Sequence, residues 1–293
     1  MSEQLSTTQS ATTSANTKVP RNVIYYNDNS IPLEHIKQLP YTDVIIGFLI
    51  PQNGDNPSSL KLDNGLNNLK PAIKTLQDAG KNVLIAVGGA TGFSTNAYKK
   101  AASNVEPLVN AIAHFVTENG FNGVDIDFED EKGFSGSYDG VGFLVELTKG
   151  LAKKLPTGHN IITHAPQTPF WSADFHKAPY TRMWKETGEH ITWINNQFYN
   201  NPDFDKNAKL KVEWYEKIAD ITGAEKLMMG ALVAKTGDDT GFLPVQQIVN
   251  DVIKPLQAKY GSKFGGVMGW ELALDKDASW GKETGKAIHL KND

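Results

Sequence analysis

Residues 121 to 129 have the sequence FNGVDIDFE, in which three carboxylates occupy alternate positions of an otherwise apolar run. Alternate side chains of a strand share one face, so Asp125, Asp127 and Glu129 are predicted to form a row, the acidic row, with intervals of about 6 to 7 Å. Burial removes the hydration of these acids and brings like charges together, so the row is expected to retain at least one proton. A carboxylic acid with a raised pKa suits general acid catalysis. On the pattern alone, the alternative is an edge strand whose polar face meets water.

The rest of the chain alternates short runs typical of strands with longer amphipathic stretches, in eight rounds. Successive runs begin roughly 20 to 40 residues apart, which leaves room for a helix between parallel strands. The predicted strands are Val23–Tyr26, Val44–Leu49, Val83–Val87, Val124–Glu129, Asn160–His164, Thr192–Tyr199, Leu227–Val233 and Gly265–Trp270.

Helical spacing of apolar residues predicts helices over 105–118 and 140–155. Gly80, Gly120 and Gly223 lie just past three predicted helices, where a left-handed residue commonly ends a helix. We therefore predict an α/β fold, a single (β/α)8 TIM barrel that forms the catalytic domain over residues 21–293. An open doubly wound sheet is the alternative, but the Gly-x-Gly-x-x-Gly fingerprint of its dinucleotide-binding form is missing.

The composition excludes several kinds of partner and site. The net charge is −4 with interspersed signs, so there is no basic stripe for nucleic acid and no polybasic patch for a membrane. Cysteine is absent, which excludes disulfides, thiolate metal sites and a cysteine nucleophile. The 7 histidines show no close ligand spacing, so we predict no catalytic metal and no cofactor.

The amino-terminal residues 1–20 are rich in Ser, Thr, Gln and Asn, and they are predicted to form a disordered polar tail. They contain no apolar segment that could serve as a Sec-type signal peptide. No later run approaches the ~18 apolar residues that span a bilayer. We expect a soluble monomer, for which extracellular action would need another export route.

In a TIM barrel the carboxyl ends of all strands meet at one mouth, where catalytic residues lie. The acidic row belongs to the fourth predicted strand, so Glu129 is expected at the rim with Asp127 and Asp125 deeper. An exposed edge strand is then excluded, because inward side chains fill the barrel. Carboxylates, amides and aromatic rings at the mouth suit a neutral ligand rich in hydroxyl groups. The other strand ends that contribute are Gly88-Gly89, Pro166-Gln167, Gln197-Phe198-Tyr199-Asn200 and Trp270-Glu271.

The segment Gly123-Val124-Asp125-Ile126-Asp127-Phe128-Glu129 resembles the Asp-x-x-Asp-x-Asp-x-Glu signature of family 18 glycoside hydrolases, which are chitinases and related endo-β-N-acetylglucosaminidases. The likeness covers residues 21 to about 285 and is greatest to the compact plant and fungal, class III-like chitinases. Asn122 replaces the first signature Asp and Ala86 replaces the usual Ser, both at supporting positions. Four further segments are similar to family motifs: Val87-Gly88-Gly89, Ala165-Pro166-Gln167, Gln197-Phe198-Tyr199-Asn200-Asn201 and Gly266-Val267-Met268-Gly269-Trp270.

The resemblance implies roles for four catalytic residues. Glu129 would protonate the glycosidic oxygen and later activate water. The acetamido oxygen of the substrate would attack the anomeric carbon and form an oxazolinium ion, so the reaction retains configuration without a carboxylate nucleophile. Asp127 would bind the acetamido N–H, Asp125 would share a proton with Asp127, and Tyr199 would donate to the acetamido oxygen.

The resemblance also implies five substrate-binding residues. Gln167 and Asn200 would hold hydroxyl or acetamido groups, and Trp270 would form the floor beneath the distorted sugar. Tyr25 and Phe48 would line the same pocket. Non-proline cis peptide bonds are implied at residues 47–48 and 270–271.

Several assignments have structural alternatives. Trp270 would otherwise fill the barrel, Tyr199 would make an internal hydrogen bond, and Gln167 would satisfy a loop backbone. His164 is expected to be an interior histidine rather than a catalyst. The remaining aromatic candidates either extend the sugar cleft or pack helices: Trp171, Trp184 and Trp193.

The gap between the seventh and eighth predicted strands holds about one helix, which leaves little room for an α+β insertion that deepens the cleft. We therefore predict an open groove and an endo-acting chitinase, with chitin or N-acetylglucosamine oligomers as its ligands. One alternative is an endo-β-N-acetylglucosaminidase that cleaves the chitobiose core of N-glycans. Another is a chitin-binding lectin with little activity.

Overall fold

A computed structural model describes residues 20–28, 30–63 and 66–289. The predicted polar tail therefore lies, apart from Pro20, outside the described residues. No helix in the described ranges is both long enough and apolar enough to cross a membrane.

Eight parallel strands form a closed barrel, because β1 pairs with β2 on one side and with β9 on the other. The strand β3 lies outside this ring and pairs antiparallel with the end of β2. The open doubly wound alternative is thus wrong, and the predicted barrel is confirmed. In chain order the strands are β1 (Arg21–Tyr26), β2 (Asp43–Pro51), β3 (Leu60–Leu62), β4 (Asn82–Gly88), β5 (Gly123–Asp127), β6 (Ile161–His164), β7 (Trp193–Gln197), β8 (Leu227–Leu232) and β9 (Gly266–Trp270).

Helices connect the strands and cover the outside of the barrel. They are α1 (Lys70–Asp78), α2 (Thr95–Ser103), α3 (Glu106–Asn119), α4 (Glu131–Phe134), α5 (Gly140–Lys154), α6 (Pro179–Thr187), α7 (Pro202–Asp205), α8 (Ala208–Thr222), α9 (Val245–Gln247), α10 (Lys254–Tyr260) and α11 (Ser279–His289). Short 3-10 turns occur at Leu33–Gln38, Thr168–Trp171, Ala224–Lys226, Gly261–Lys263 and Leu272–Leu274, and Ile248–Ile253 is a π-helical segment.

The predicted helix ends follow from local backbone chemistry. Gly120 ends α3 in the left-handed conformation, with φ 79° and ψ 21°, because glycine has no Cβ to oppose it. Gly80 and Gly223 also have positive φ angles, of 79° and 84°. At the other end of two helices, the Ser94 and Asp139 side chains accept hydrogen bonds from first-turn amides, which satisfies donors that the helix leaves free.

The two faces of β5 point to different regions of the protein. Val124, Ile126 and Phe128 belong to the large cluster between the strands and the helices. The barrel interior is a smaller cluster that includes Tyr25 and Trp193. The apolar side chains of β5 thus face the helices, and its acids face the interior, as the alternation predicts.

The connection between β8 and β9 is short. Residues 233–265, all of which are described, form a loop, α9, the π-helical segment, α10 and one 3-10 turn, with no additional strand. This confirms the prediction of a barrel without a large α+β insertion.

Candidate active site

The acidic row lies at the carboxyl end of β5 with graded exposure. Asp125 is fully buried, Asp127 is 4% exposed, and Glu129 is half-buried at the rim. The sequence analysis placed Glu129 within the strand, but β5 ends at Asp127 and Glu129 lies just beyond it. The alternation still continues beyond the strand, since Phe128 packs outward in the cluster beneath the helices.

Asp125 is saturated with neutral hydrogen-bond donors. Its carboxylate accepts from the Tyr25 hydroxyl at 2.6 Å, the Thr163 hydroxyl at 2.5 Å and the Asn195 amide at 3.0 Å. Burial raises the pKa of Asp125, and these three hydrogen bonds oppose part of that rise. Asp125 therefore fixes the base of the row and has few lone pairs left for any other group.

Asp127 and Glu129 form the reactive pair of the row. Burial raises the pKa of Asp127 well above its usual value, and the charges of Glu129 and Asp125 raise it further. Burial also raises the pKa of Glu129, while hydrogen bonds from Gln197, Gln167 and Asp127 oppose the rise. The like charges of the two carboxyl groups favour a single proton on the Asp127–Glu129 pair. The sharing between Asp125 and Asp127 that the family resemblance implied stays a prediction.

Gln197 connects the reactive pair to the neighbouring strand. Its Nε2 atom lies 3.0 Å from Asp127 Oδ1, 3.3 Å from Glu129 Oε1 and 3.0 Å from the Ala165 carbonyl oxygen. On the other side, Gln167 Nε2 donates to Glu129 Oε2 at 3.0 Å. Two amides thus hold both oxygens of Glu129 and aim the carboxyl group into the cleft.

Two adjacent glycines let β4 approach the row closely. A Cβ atom on Gly88, which has a φ of 114°, would lie only 2.1 Å from the carbonyl oxygen of Asp127. A Cβ atom on Gly89 would lie 3.1 Å from the Phe48 ring, and the Gly89 N–H donates to the Asp127 carbonyl at 2.9 Å. The glycines are therefore needed for backbone contact beside the acids.

Three aromatic side chains form one wall of the cleft. The ring centroids of Tyr25 and Trp270 are 5.5 Å apart, those of Phe48 and Trp270 are 5.9 Å apart, and those of Tyr25 and Phe48 are 6.4 Å apart. Trp270 is the partly exposed member and offers a flat surface to a ligand. The cis peptide bonds implied at 47–48 and 270–271 are both present.

A cleft of about 230 Å³ opens above the row. Tyr199 lies in it, 6% exposed, and its pKa is raised by burial first and then by the charges of Asp127 and Glu129. Its hydroxyl is therefore protonated and available as a donor. The other lining residues are Tyr25, Asn27, Phe48, Asp63, Gly88, Gly89, Ala90, Thr91, Gly92, Asp127, Glu129, Gln197, Asn200 and Trp270.

Two predicted ligand-binding amides have protein partners instead. Gln167 donates its hydrogen bond to Glu129 and is not among the residues that line the cleft. Asn200 lies at the rim, but its side chain donates to Asp239 at 3.1 Å and accepts from the Thr240 N–H at 2.8 Å. Both amides thus organise the protein around the cleft, and their direct contact with substrate stays a prediction.

The sequence alone assigned no role to the interior residues Gln197, Asn195 and Thr163. The signal available for two of them is the strand period, since Asn195 and Gln197 share the inward face of β7. Asn27 and Asp63 also line the cleft and were not predicted, because their positions depend on loops.

Several aromatic and histidine candidates lie away from the cleft. Trp193 is buried inside the barrel and Trp171 is 4% exposed, while Trp184 packs against Lys226 on the helical layer. His164 is fully buried next to Thr148, and burial lowers its pKa to about 3. It is an uncharged interior residue. Nowhere in the described ranges do three or more His, Asp or Glu side chains gather in a way that could hold a metal ion.

Comparisons with known proteins agree with this geometry. Residues 21–240 match the family described as glycosyl hydrolases family 18. Acidic endochitinase SE2 of Beta vulgaris is 26% identical over 268 residues, which cover 82% of this chain and 81% of that protein.

Solved structures show the same similarity. A GH18 chitinase from Pseudoalteromonas aurantia has a TM-score of 0.86 at 36% identity, and the match covers 92% of this chain and 100% of that one. A fungal endo-β-N-acetylglucosaminidase of family 18 has a TM-score of 0.70 at 20% identity, covers 94% of this chain and 100% of its own, and shares the fold.

Proposed function

The chain belongs to glycoside hydrolase family 18, and from this premise we propose that it is an endo-acting chitinase that hydrolyses β-1,4 bonds between N-acetylglucosamine units. The observation that carries the proposal is the position of Glu129. It is the partly exposed member of the acidic row, it lines the cleft, and two amides hold its carboxyl oxygens. We propose that residues 21–293 make up the catalytic domain.

Glu129 acts first as the general acid. Because burial raises its pKa, the carboxyl group keeps a proton at a pH where an exposed glutamate would have lost it. It gives this proton to the glycosidic oxygen as the bond to the anomeric carbon breaks. The acetamido oxygen of the same sugar forms the new bond to that carbon, which yields an oxazolinium ion.

Asp127 orients the attacking group. While the proton of the pair is on Glu129, Asp127 is a carboxylate that accepts a hydrogen bond from the acetamido N–H of the substrate. Asp125, the next acid down the row, adds a negative charge that raises the pKa of Asp127. In the second half of the reaction, Glu129 takes a proton from a water molecule, whose oxygen attacks the anomeric carbon and opens the oxazolinium ring with overall retention.

Tyr199 and the aromatic wall position the sugar. The protonated Tyr199 hydroxyl donates to the acetamido oxygen, and this hydrogen bond aligns the internal nucleophile. Trp270 covers the apolar face of the pyranose, and Tyr25 and Phe48 support it from behind. The short connection between β8 and β9 leaves the cleft open along its length, which favours endo cleavage.

Hydrolysis of a fully acetylated chitin hexamer and of its deacetylated counterpart tests the mechanism. We expect the acetylated hexamer to be cleaved at internal bonds and the deacetylated one to be left intact, because it lacks the internal nucleophile. Equal rates on the two hexamers would contradict substrate assistance. Stepwise release of disaccharide from one end would contradict endo cleavage.

A high-mannose glycoprotein belongs in the same assay as a control substrate. We expect no cleavage of its chitobiose core. A retained single N-acetylglucosamine, detected by mass, would instead indicate an endo-β-N-acetylglucosaminidase.

A further inference from the structure

Two buried charged side chains hold the Tyr199 turn, which we define as residues Phe198–Asn201 after β7. The Lys211 ammonium group on α8 donates to the Phe198 carbonyl oxygen, immediately before Tyr199. Asp205 at the end of α7 accepts from the Asn201 N–H at 3.2 Å, two residues after Tyr199. Both charged side chains are fully buried. The turn is therefore fixed at its first and last residues from behind the cleft.

The two charges depend on each other. Burial raises the pKa of Asp205 to about 7, and the charge of Lys211 opposes the rise. Burial lowers the pKa of Lys211 to about 8, and the charge of Asp205 opposes the fall. Asp205 Oδ2 has no hydrogen-bond partner in the part of the chain that the structure describes. Burial of charged groups is costly, so the presence of these two side chains here calls for another explanation.

The loop between β8 and α9 closes over the pair and over the front of the turn. A Cβ atom on Gly241, which has a φ of 76°, would lie 2.9 Å from Asp205 Oδ1 and 3.3 Å from Lys211 Nζ. The same loop binds Asn200 through Asp239 and Thr240. The turn is thus held from both sides, with Tyr199 and Asn200 lining the cleft.

We propose that Lys211 and Asp205 are positioning residues for Tyr199, which set the place of its hydroxyl by fixing the backbone on either side. This inference rests on the proposed function, in which that hydroxyl donates to the acetamido oxygen. A hydrogen bond weakens steeply when its geometry is disturbed, and a displacement of about 1 Å near reacting atoms costs up to ~100-fold in rate.

A matched control exists at the opposite end of the barrel. Lys81 is 9% exposed and donates to the carbonyl oxygens of Leu39 at 2.8 Å and Tyr41 at 2.6 Å. It is a buried lysine that holds backbone carbonyls, as Lys211 does, but it lies far from the cleft. A loss of stability common to both lysines can therefore be separated from an effect on Tyr199.

The experiment is a double-mutant cycle on the full chain, with kcat and KM measured on the acetylated chitin hexamer. The variants are Tyr199→Phe, Lys211→Met, the double variant and Lys81→Met. We expect Tyr199→Phe to lower kcat by ~100-fold, since it removes a donor to developing charge, and Lys211→Met to lower it roughly tenfold. The double variant should be no slower than Tyr199→Phe, and Lys81→Met should keep the kcat of the unsubstituted protein.

Other results would overturn the inference. Multiplying effects in the double variant, or an equal loss of kcat in Lys81→Met, would show that Lys211 acts on stability and not through Tyr199. If Lys211→Met does not fold, Asp205→Asn takes its place in the cycle under the same criteria. An unsubstituted protein that leaves the hexamer intact would overturn the proposed function, and with it the inference.

Discussion

At the amino-terminal end of the barrel, Asp43 is fully buried and its carboxylate lies 2.9 Å from the Arg21 guanidinium group. Asp43 also accepts from the Thr42 hydroxyl and the Asn82 amide. At the carboxyl end, Asp125 and Asp127 are nearly as buried, but hydroxyl groups and amides are their donors and no cation among the described residues is added, the donors being Tyr25, Thr163, Asn195 and Gln197. The Arg21 cation compensates the buried charge of Asp43, whereas the neutral donors around Asp125 and Asp127 leave part of the desolvation cost in place, which raises the pKa of both acids. We therefore infer that the acid at one end of the barrel is structural and that the acids at the other end take part in catalysis.

Replacement of Glu129 by Gln, at the carboxyl end of the barrel, should have the largest effect on catalysis. We expect kcat to fall by ~1,000-fold or more, because an amide cannot deliver the proton that the leaving oxygen needs. Steady-state kinetics on the acetylated hexamer measures the loss. Glu131→Gln is the control, since Glu131 is exposed two residues further on, and it should keep full activity. An active Glu129→Gln protein would show that another group is the acid.

Replacement of Asp43 by Asn removes the ion pair with Arg21 at the amino-terminal end of the barrel. The Arg21 guanidinium group would stay buried without its counter-charge, so we expect the free energy of unfolding to fall by about 3 kcal/mol. Urea denaturation measures this change. The kcat of the folded protein should not change. Loss of kcat with unchanged stability would mean that the two ends do not divide their roles in this way.

Replacement of Asp127 by Asn sharpens the comparison, since the same change is made at the other end. We expect kcat to fall by ~100-fold on the acetylated hexamer, because an uncharged amide cannot stabilise the positive charge that develops on the acetamido group as a carboxylate does.

The stability of Asp127→Asn should change in the opposite sense to that of Asp43→Asn. The pKa of Asp127 is raised in the folded state, so the unfolded chain releases this proton at a lower pH than the folded protein does. Between the two pKa values the folded protein binds more protons, and stability falls as the pH rises. Asp127→Asn removes that loss, so urea unfolding should show a gain in stability at neutral pH and none at acid pH. A loss at neutral pH would contradict the assignment.

Replacement of Gln167 by Ala gives the smallest expected effect. The hydrogen bond from Gln167 favours the ionised form of Glu129, so its removal should raise the pKa of Glu129. The alkaline limb of the kcat/KM profile should then move to higher pH by about one unit. Gln246→Ala, at an exposed position, should leave the profile unchanged. A shift to lower pH would exclude Glu129 as the group that titrates in this limb.

The barrel could be predicted from the sequence because short strand-like runs alternate with amphipathic helical stretches in eight rounds, and such a pattern has few packing solutions. The errors lie where the chain leaves the sheet. The run through Glu129 was predicted to be strand, but Asp130 caps α4 by accepting from the Lys132 N–H, so the chain turns sooner. The strand β3 was missed, because Leu60–Leu62 is short and its pairing is made outside the barrel.

The inward direction of the acidic row was also predictable, since it follows from the two-residue period of a strand. The partners of the row were not. Whether Gln197 reaches Asp127 and Glu129 depends on the position of β7 relative to β5, two strands away in the sheet. The pairing of Asn200 with Asp239 and Thr240 joins loops forty residues apart, and no local pattern encodes it.

The hairpin made by β3 gives this cleft a side that is free to vary. The Asp63 N–H that follows β3 donates to the Phe48 carbonyl at 2.9 Å, so the hairpin is tied to the aromatic wall, while most residues of its tip at 52–59 are exposed. Loop tips of this kind accept insertions and deletions readily. We therefore expect that a change in the length of the tip can leave Asp127 and Glu129 in place.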